Sequence, residues 1–401
     1  MSMLERIPVS SPAGVAIFRK ILTHGPIARI DVAKSTGLSA AAVTKAVSPL
    51  IAAGYIEDAR QSSSEIDRAD ISRGRPTSPL VISSSRAHII GVKVTATEVY
   101  GVLTDLTAQR IANTSQLTKS SRVEDVETAI KTVVELLKES SPTGTVDGLG
   151  VTVSGDVDAH SGRVRDSPLM KWRDVALGPR LESLLGLPTM IENDVRALTV
   201  AEQMFGLGAD SESFAVVTIG AGIGCGIFVN GRVVEGSHGV SGEIGHLPLA
   251  PGNLVCSCGR RGCVETIASS QAILNRVRVG LDDPSITMQH AIQFAHEGEV
   301  SAVSAFAEAG DVIGAALAAM VNLIGPERVI IAGEGVAEYD LLADRIRSTF
   351  SEHAFGSALD CELILLSHTF DDWALGAAVT VIRQIAEGIG QPLPSTPHLV
   401  V

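Results

Sequence analysis

One histidine and three cysteines have the spacing to hold a metal ion: His246, then Cys256, Cys258 and Cys263 in the run Cys256-Ser257-Cys258-Gly259-Arg260-Arg261-Gly262-Cys263. One imidazole and three thiolates complete a closed tetrahedral set, the arrangement of structural zinc. The interspersed glycines let the backbone fold three sulfurs around one ion. Glu243 and Glu265 bracket the cluster, so whatever the metal fixes in place has carboxylates beside it. The same residues are compatible with buried inert thiols or with disulfides. Three of the five cysteines fall within eight residues with a histidine nearby, which favours zinc, the expected cofactor.

Two further groups carry possible chemistry. Glu192-Asn193-Asp194 follows the strand-like Thr189-Met190-Ile191, and strand ends are where α/β folds place ligands. Taken alone, that triplet also reads as a helix N-cap. The run Gly220-Ala221-Gly222-Ile223-Gly224-Cys225-Gly226 lets backbone N–H groups approach an anion, although a tight hairpin needs glycine as well.

The elements that must position these groups are read from periodicity. The 401 residues suffice for two or three domains, and 45% hydrophobic with 19% charged residues indicates a well-packed α/β protein. The net charge of −13 argues against generalised nucleic-acid binding. It is uneven, however: residues 1–80 hold ten Lys/Arg and seven Asp/Glu, leaving −16 for the remainder. A small basic module on an acidic body suggests that only the module meets DNA. The N-terminus carries Glu5 and Pro8 without a long apolar run, so no secretory signal is expected. The apolar stretch from Val312 to Val321 is too short to span a bilayer. Cysteines committed to metal fit a reducing compartment. The expectation is a cytoplasmic protein without a membrane partner.

Val15, Phe18, Ile21 and Leu22 recur at helical spacing, and Pro26 breaks the chain. A second helix runs through Ile30, Val32 and Ala33 to Gly37. Ser39 can cap a third, which puts Val43, Val47, Leu50 and Ile51 on one face. Ser39, Ala40, Ala41, Thr44, Lys45 and Ser48 lie at the cap and on the opposite face. Small and polar residues there permit close approach to a DNA groove, and Lys45 can reach a phosphate or a base edge. Pro49 is expected to kink the end of this helix. Two short strands, at 55–57 and 80–82, complete a winged helix-turn-helix with residues 39–51 as recognition helix; a small dimerisation bundle is the other reading. Between the strands, residues 59–79 form a polar wing or linker containing Arg73-Gly74-Arg75-Pro76. Its arginines can enter a narrow minor groove, or the segment is simply solvated.

From residue 87 the pattern is strand, glycine turn, strand, turn, strand, then a helix at 123–137 and a strand at 149–153. The same opening returns at 214, with Asn230-Gly231 as a hairpin turn. Such a repeat implies two similar lobes with a cleft between them. The expected domains are 1–82, the DNA-binding module; 83–200, a first α/β lobe completed by 374–392; and 201–373, a second lobe carrying the zinc site.

The wing with Gly74-Arg75-Pro76, the Glu243-Ile244-Gly245-His246 element and the cysteine cluster together resemble the ROK family (repressors, open reading frames and sugar kinases), over essentially the whole chain. The resemblance implies a two-lobed actin-like, hexokinase-like fold of the ribonuclease H-like class. It makes His246, Cys256, Cys258 and Cys263 zinc ligands, and Asn193, Asp194, Glu243, His246 and Glu265 sugar contacts. In the family's kinases the counterpart of Asp194 is the catalytic base, and the run 220–226 resembles their second phosphate loop. Their first phosphate loop carries aspartate, a spacer, two glycines and threonine; here the sequence is Lys93-Val94-Thr95-Ala96-Thr97. Side chains at 95 and 96 obstruct backbone approach to a phosphate. Pro168-Leu169 also departs from relatives with asparagine after the proline. The implied function is therefore a sugar-responsive regulator, a repressor that binds operator DNA as a homodimer or homotetramer; the alternative is an ATP-dependent sugar kinase of the same family, since Asp194 is present and Lys93 can itself contact a phosphate.

Overall fold

A computed structural model describes residues 11–59, 79–237, 239–335 and 339–388 of the protein. The chain divides into two compact units, Met1–Asn193 with Ala374–Val401, and Asp194–Trp373.

The first unit opens with three helices. Ser11 caps α1 (Pro12–His24) by accepting the Gly14 amide at 3.2 Å, and Pro12 fits the first helical position, where no amide bond is lost. α2 (Arg29–Thr36) stops at Gly37 in the left-handed conformation. Ser39 caps α3 (Ala40–Ala52) by accepting the Ala42 amide at 3.2 Å. α3 buries Val43, Val47 and Leu50, but Ile51 is 37% exposed. At about 100° per residue, Ile51 sits about 80° around the axis from Val43, at the margin of the stripe. The helix runs on through Pro49 to Ala52, because a proline in the last turn removes a single amide bond. β1 (Ile56–Asp58) pairs antiparallel with β2 (Leu80–Ile82). Arg73 and Arg75 lie outside the described residues.

A five-stranded sheet follows, in the order β10-β6-β3-β4-β5. Its members are β3 (His88–Val94), β4 (Glu98–Asp105), β5 (Arg110–Leu117), β6 (Gly148–Val153) and β10 (Thr189–Asn193). β3 is buried along its whole length and pairs antiparallel with β4 and parallel with β6. α4 (Val123–Glu139) lays Val126, Ile130, Val133, Val134 and Leu137 on the sheet. α12 (Phe370–Glu387) packs so closely that a Cβ on Gly91 or Gly150 would fall 2.0 Å from the carbonyl oxygen of Ala374 or Ala377. A small antiparallel sheet of β7 (Asp156–Asp158), β8 (Arg163–Ser167) and β9 (Trp172–Val175), then α5 (Leu177–Leu185), was not foreshadowed by periodicity.

The second unit repeats the sheet: β13-β12-β11-β14-β15, from β11 (Ser213–Ile219), β12 (Ile223–Val229), β13 (Arg232–Val233), β14 (Arg328–Ala332) and β15 (Glu362–Leu365). Each sheet has three antiparallel strands followed by two parallel ones. This is the duplicated α/β arrangement expected from the repeat. α6 (Asp194–Phe205) packs on β11 and β12, with Val195 and Leu198 in a core with Phe214, Val216 and Phe228. For that reason the division falls at Asn193/Asp194, not after residue 200. The remaining helices are α7 (Glu265–Ala268), α8 (Ser270–Gly280), α9 (Met288–His296), α10 (Val300–Ile324) and α11 (Tyr339–His353). α10 is long and apolar enough to cross a membrane by length and composition alone. It packs instead against α7, α8, α9 and α11, burying Phe306, Ile313, Leu317 and Val321.

Candidate metal centre and ligand site

The metal cluster is built by a tight turn facing a short helical turn. The Gly259 amide donates to the Cys256 carbonyl at 2.9 Å and the Cys256 amide to the Arg260 carbonyl at 2.8 Å. Gly259 (φ 84°) and Gly262 (φ 73°) supply left-handed conformations that other residues adopt only under strain. The arm ending in His246 is tied to this turn by the Ala250 amide on the Gly262 carbonyl (2.9 Å) and the Val264 amide on the Leu247 carbonyl (3.1 Å). One ligand atom from each of His246, Cys256, Cys258 and Cys263 lies within 4.8 Å of all the others. Cys258 Sγ and Cys263 Sγ are 3.8 Å apart, and Cys256 Sγ is 3.7 Å from His246 Nδ1. Sulfurs on a tetrahedral zinc at about 2.3 Å stand about 3.8 Å from each other. A disulfide needs about 2.05 Å, and all five cysteines are free. The donor set therefore fits a tetrahedral, thiophilic metal.

The Cys263 thiol is pushed up to about 12, first by burial, then by its hydrogen bonds and charge interactions with Cys258 and Cys256. At Cys258 burial also raises the thiol, but the Arg260 amide, the neighbouring thiols and the Arg260 charge together hold it below its usual value. Metal ligation demands thiolates, so a metal must displace protons here. Protons win as pH falls, and affinity rises with pH. Zinc affinity is expected to weaken by at least about tenfold per unit as pH drops from 8 to 6. Calorimetry in buffers of different ionisation enthalpy should count more than one proton released per zinc; zero release would contradict thiolate ligation.

Glu243, His246 and Glu265 come together around this centre. His246 Nε2 is 3.8 Å from Glu243 Oε2, and Nδ1 is 3.9 Å from Glu265 Oε2. Glu265 opens α7, and its Oε1 accepts the Ile223 amide at 2.9 Å. Asp194 is buried as the first residue of α6, its Oδ1 accepting the Val195 amide at 2.9 Å. Val195 lies against Gly224 of β12, while Glu265 meets Gly222 of the same hairpin. Arg196 donates from Nη1 to the Gly239 carbonyl, tying α6 to the loop that leads to Glu243. Asn193 ends β10 in the first unit, where its Nδ2 donates to the Gly155 carbonyl at 2.9 Å.

Both glycine or glycine-like turns have internal partners. In the turn 95–97, Thr95 Oγ1 donates to the Glu98 carbonyl at 2.8 Å and accepts the Glu98 amide at 3.0 Å and the Thr97 amide at 3.4 Å. Lys93 is buried in β3. In the hairpin 220–223, Glu334 Oε1 accepts the Ala221 amide at 2.8 Å. Carboxylates of Glu334 and Glu265 thus sit on amides that an anion would need. Glu334 was not foreseen, since nothing local in Gly333-Glu334-Gly335 marks its partner.

In the N-terminal region Ser39, Ala40, Ala41, Thr44 and Lys45 are all exposed, as is Ser48. The Thr44 and Ser48 hydroxyls donate to the Ala40 and Thr44 carbonyls at 2.9 and 2.8 Å.

The family model described as "ROK family" matches residues 89–384. The DNA-binding transcriptional dual regulator NagC of Escherichia coli K12 is 29% identical over 386 residues, 93% of each chain. The xylose repressor of Bacillus subtilis is 26% identical, over 84% of this chain and 86% of its own. Among solved structures, a ROK family transcriptional regulator, homologous to the E. coli Mlc protein, superposes with TM-score 0.78 at 28% identity, covering 94% of this chain and 96% of that one. A ROK family glucokinase from Streptomyces griseus, in complex with glucose and AMPPNP, superposes with TM-score 0.65 at 28% identity, covering 74% of this chain and all of the kinase. The duplicated sheets are thus the hexokinase-like α/β fold, and the chain belongs to the ROK family.

Proposed function

We propose that the protein is a sugar-responsive transcriptional repressor of carbohydrate-metabolism genes. One observation carries this reading. The regulator structure matches 94% of the chain, whereas the glucokinase matches only 74% although all of the kinase is used. The family model likewise begins only at residue 89, after the three helices and the β1–β2 pair. Those elements form a winged helix-turn-helix with α3 as recognition helix, presenting Ser39, Ala40, Ala41, Thr44 and Lys45 to operator DNA. Arg73 and Arg75 are assigned to the minor groove on sequence grounds. A structural zinc on His246, Cys256, Cys258 and Cys263 holds Glu243 and Glu265 in place, and the effector sugar is bound by Asn193, Asp194, Glu243, His246 and Glu265. Carboxylates and amides suit that role because they accept and donate to adjacent hydroxyls. The protein acts in the cytoplasm as a homodimer or homotetramer on a palindromic site.

The kinase reading is favoured by the presence of Asp194 and by the glycine run 220–226. Against it stand the Thr95-bonded turn and the carboxylate of Glu334 on the Ala221 amide. Sugar-dependent ADP release, absent in Asp194→Asn, would establish a kinase.

Fluorescence anisotropy tests the reading, using duplexes from the region upstream of the chain's own coding sequence, with glucose, N-acetylglucosamine, N-acetylmannosamine and xylose added in turn. Specific binding altered by one sugar is the expected outcome; absence of specific binding even at low salt would reject it. Lys45→Ala is expected to weaken binding about tenfold, with a shallower salt dependence if Lys45 meets a phosphate.

A further inference from the structure

We propose that Arg86 is the positioning residue that fixes the recognition helix on the first α/β unit; the inference rests on the DNA-binding reading above. α3 ends at Ala52 with Ala53 as its C-cap, and Gly54 leads into Tyr55 and β1. Arg86 lies in the short turn Ser84–Arg86 between β2 and β3. Its Nε donates to the Ala53 carbonyl at 3.3 Å, and its guanidinium carbon stands 4.3 Å from the centre of the Tyr55 ring. Tyr55 is 1% exposed and meets Phe18 of α1 edge-on, with ring centres 6.4 Å apart. One side chain therefore holds both the carboxyl end of α3 and the aromatic core of the helical module.

The turn that carries Arg86 is bonded to the α/β unit as well. The Leu106 amide, just after β4, donates to the Ser84 carbonyl at 3.3 Å. His88, two residues on and the first of β3, donates its amide to Asp147 Oδ2 at 2.9 Å, and its Nδ1 is 3.1 Å from Thr143 Oγ1. On the module side the Ser83 amide donates to the Tyr55 carbonyl at 2.9 Å. Arg86 sits where the last element of the module meets the central strand of the sheet. A guanidinium is suited to this place, because it donates in its plane while its face stacks on a ring. An ammonium at the end of a lysine stem reaches either partner but does not satisfy both at once. Losing Arg86 removes the side-chain hold on the Ala53 carbonyl and the Tyr55 ring. The backbone bonds that close the helix, Ala53 amide to Pro49 carbonyl and Tyr55 amide to Leu50 carbonyl, and the packed interior of the module, Val43, Val47, Leu50 and Phe18, stay in place. The recognition helix would still fold, but its pose on the protein, and so its fit to a half-site, would be unset.

The test compares full-length wild type, Arg86→Ala and Arg86→Lys by anisotropy on the specific duplex and on a scrambled duplex of equal length, across a salt series, with thermal melting alongside. The expected result is at least a tenfold loss of specific affinity in both variants. Scrambled-duplex affinity should stay within twofold for Arg86→Lys, and its salt slope should be that of wild type. Wild-type affinity in the variants overturns the proposal. Rescue by lysine, or a slope lowered by about one in Arg86→Ala, overturns it by making Arg86 a direct phosphate contact. A melting loss with specificity intact overturns it by making the residue merely structural. Should Arg86→Ala not fold, Arg86→Lys decides alone. A wild type without specific binding rejects the regulator reading, and this proposal with it, whereas a binding wild type with unchanged variants rejects this proposal only.

Discussion

Cys258→Ser is expected to take metal content from about one zinc per chain to near zero, measured by elemental analysis after gel filtration. Three ligands at closed tetrahedral spacing hold zinc far less tightly than four, and a serine hydroxyl does not replace a thiolate for a thiophilic ion. Leu247, Ala250 and Leu254 pack this segment on the core of the second unit, but the tip of the cysteine turn has few such anchors. Cys258 is partly exposed, Val255 is 62% exposed, and the hydrogen bonds that close the segment are a handful of backbone contacts. Without metal the turn should loosen and carry Glu243 and Glu265 with it. A stability loss on the order of 4 kcal/mol is expected, the scale seen when a structural metal is removed. The rest of the second unit keeps its core, since Ile313, Leu317, Val329 and Ile346 owe nothing to the cluster. Cys225→Ser supplies the contrast. Cys225 is buried in β12, its thiol pushed up to about 12 chiefly by burial and further by the charge of Glu243, and it lies outside the ligand set. That variant should keep its zinc while losing about 1–3 kcal/mol for burying a hydroxyl in place of a thiol. Full zinc occupancy in Cys258→Ser would remove that residue from the ligand set.

Glu243→Ala is expected to weaken sugar binding at least tenfold and to leave operator binding as it was. A carboxylate that accepts from sugar hydroxyls contributes about 1.5–3 kcal/mol, and 1.4 kcal/mol is a factor of ten. Glu243 has a side chain 51% exposed, so its removal opens no core cavity. Glu265→Ala should go further. Besides losing the contact to the sugar proposed for it, this variant strips the Ile223 amide of its partner, costing about 1–3 kcal/mol of stability. Titration calorimetry with the sugar that shifts the wild type, together with melting curves, separates the two. Wild-type sugar affinity in Glu243→Ala would place the pocket elsewhere.

Much of this protein is written locally in its chain. The cysteine turn, the Ser39 cap, the left-handed stop at Gly37 and the strand–turn–strand openings at 88 and 213 each depend on residues a few positions apart. Side-chain periodicity and turn chemistry act over that range, so these elements are legible in the sequence alone. The repeat was legible for the same reason, since each opening has the same local pattern.

Contacts between distant residues were not legible. Glu334 reaches the Ala221 amide across 113 residues, and Glu265 reaches Ile223 across 42. No periodicity connects such pairs, because they meet only once β11, β12 and β14 lie side by side. The change of unit at Asp194 likewise follows from where α6 finds its apolar partners, Phe214 and Val216, and not from a break in composition. Even Arg86, an unremarked arginine in a short turn, gains its meaning from the Ala53 carbonyl and the Tyr55 ring that folding brings to it. Hydrogen bonds and ring contacts act over a few ångströms of space, and that nearness is settled by how the layers pack.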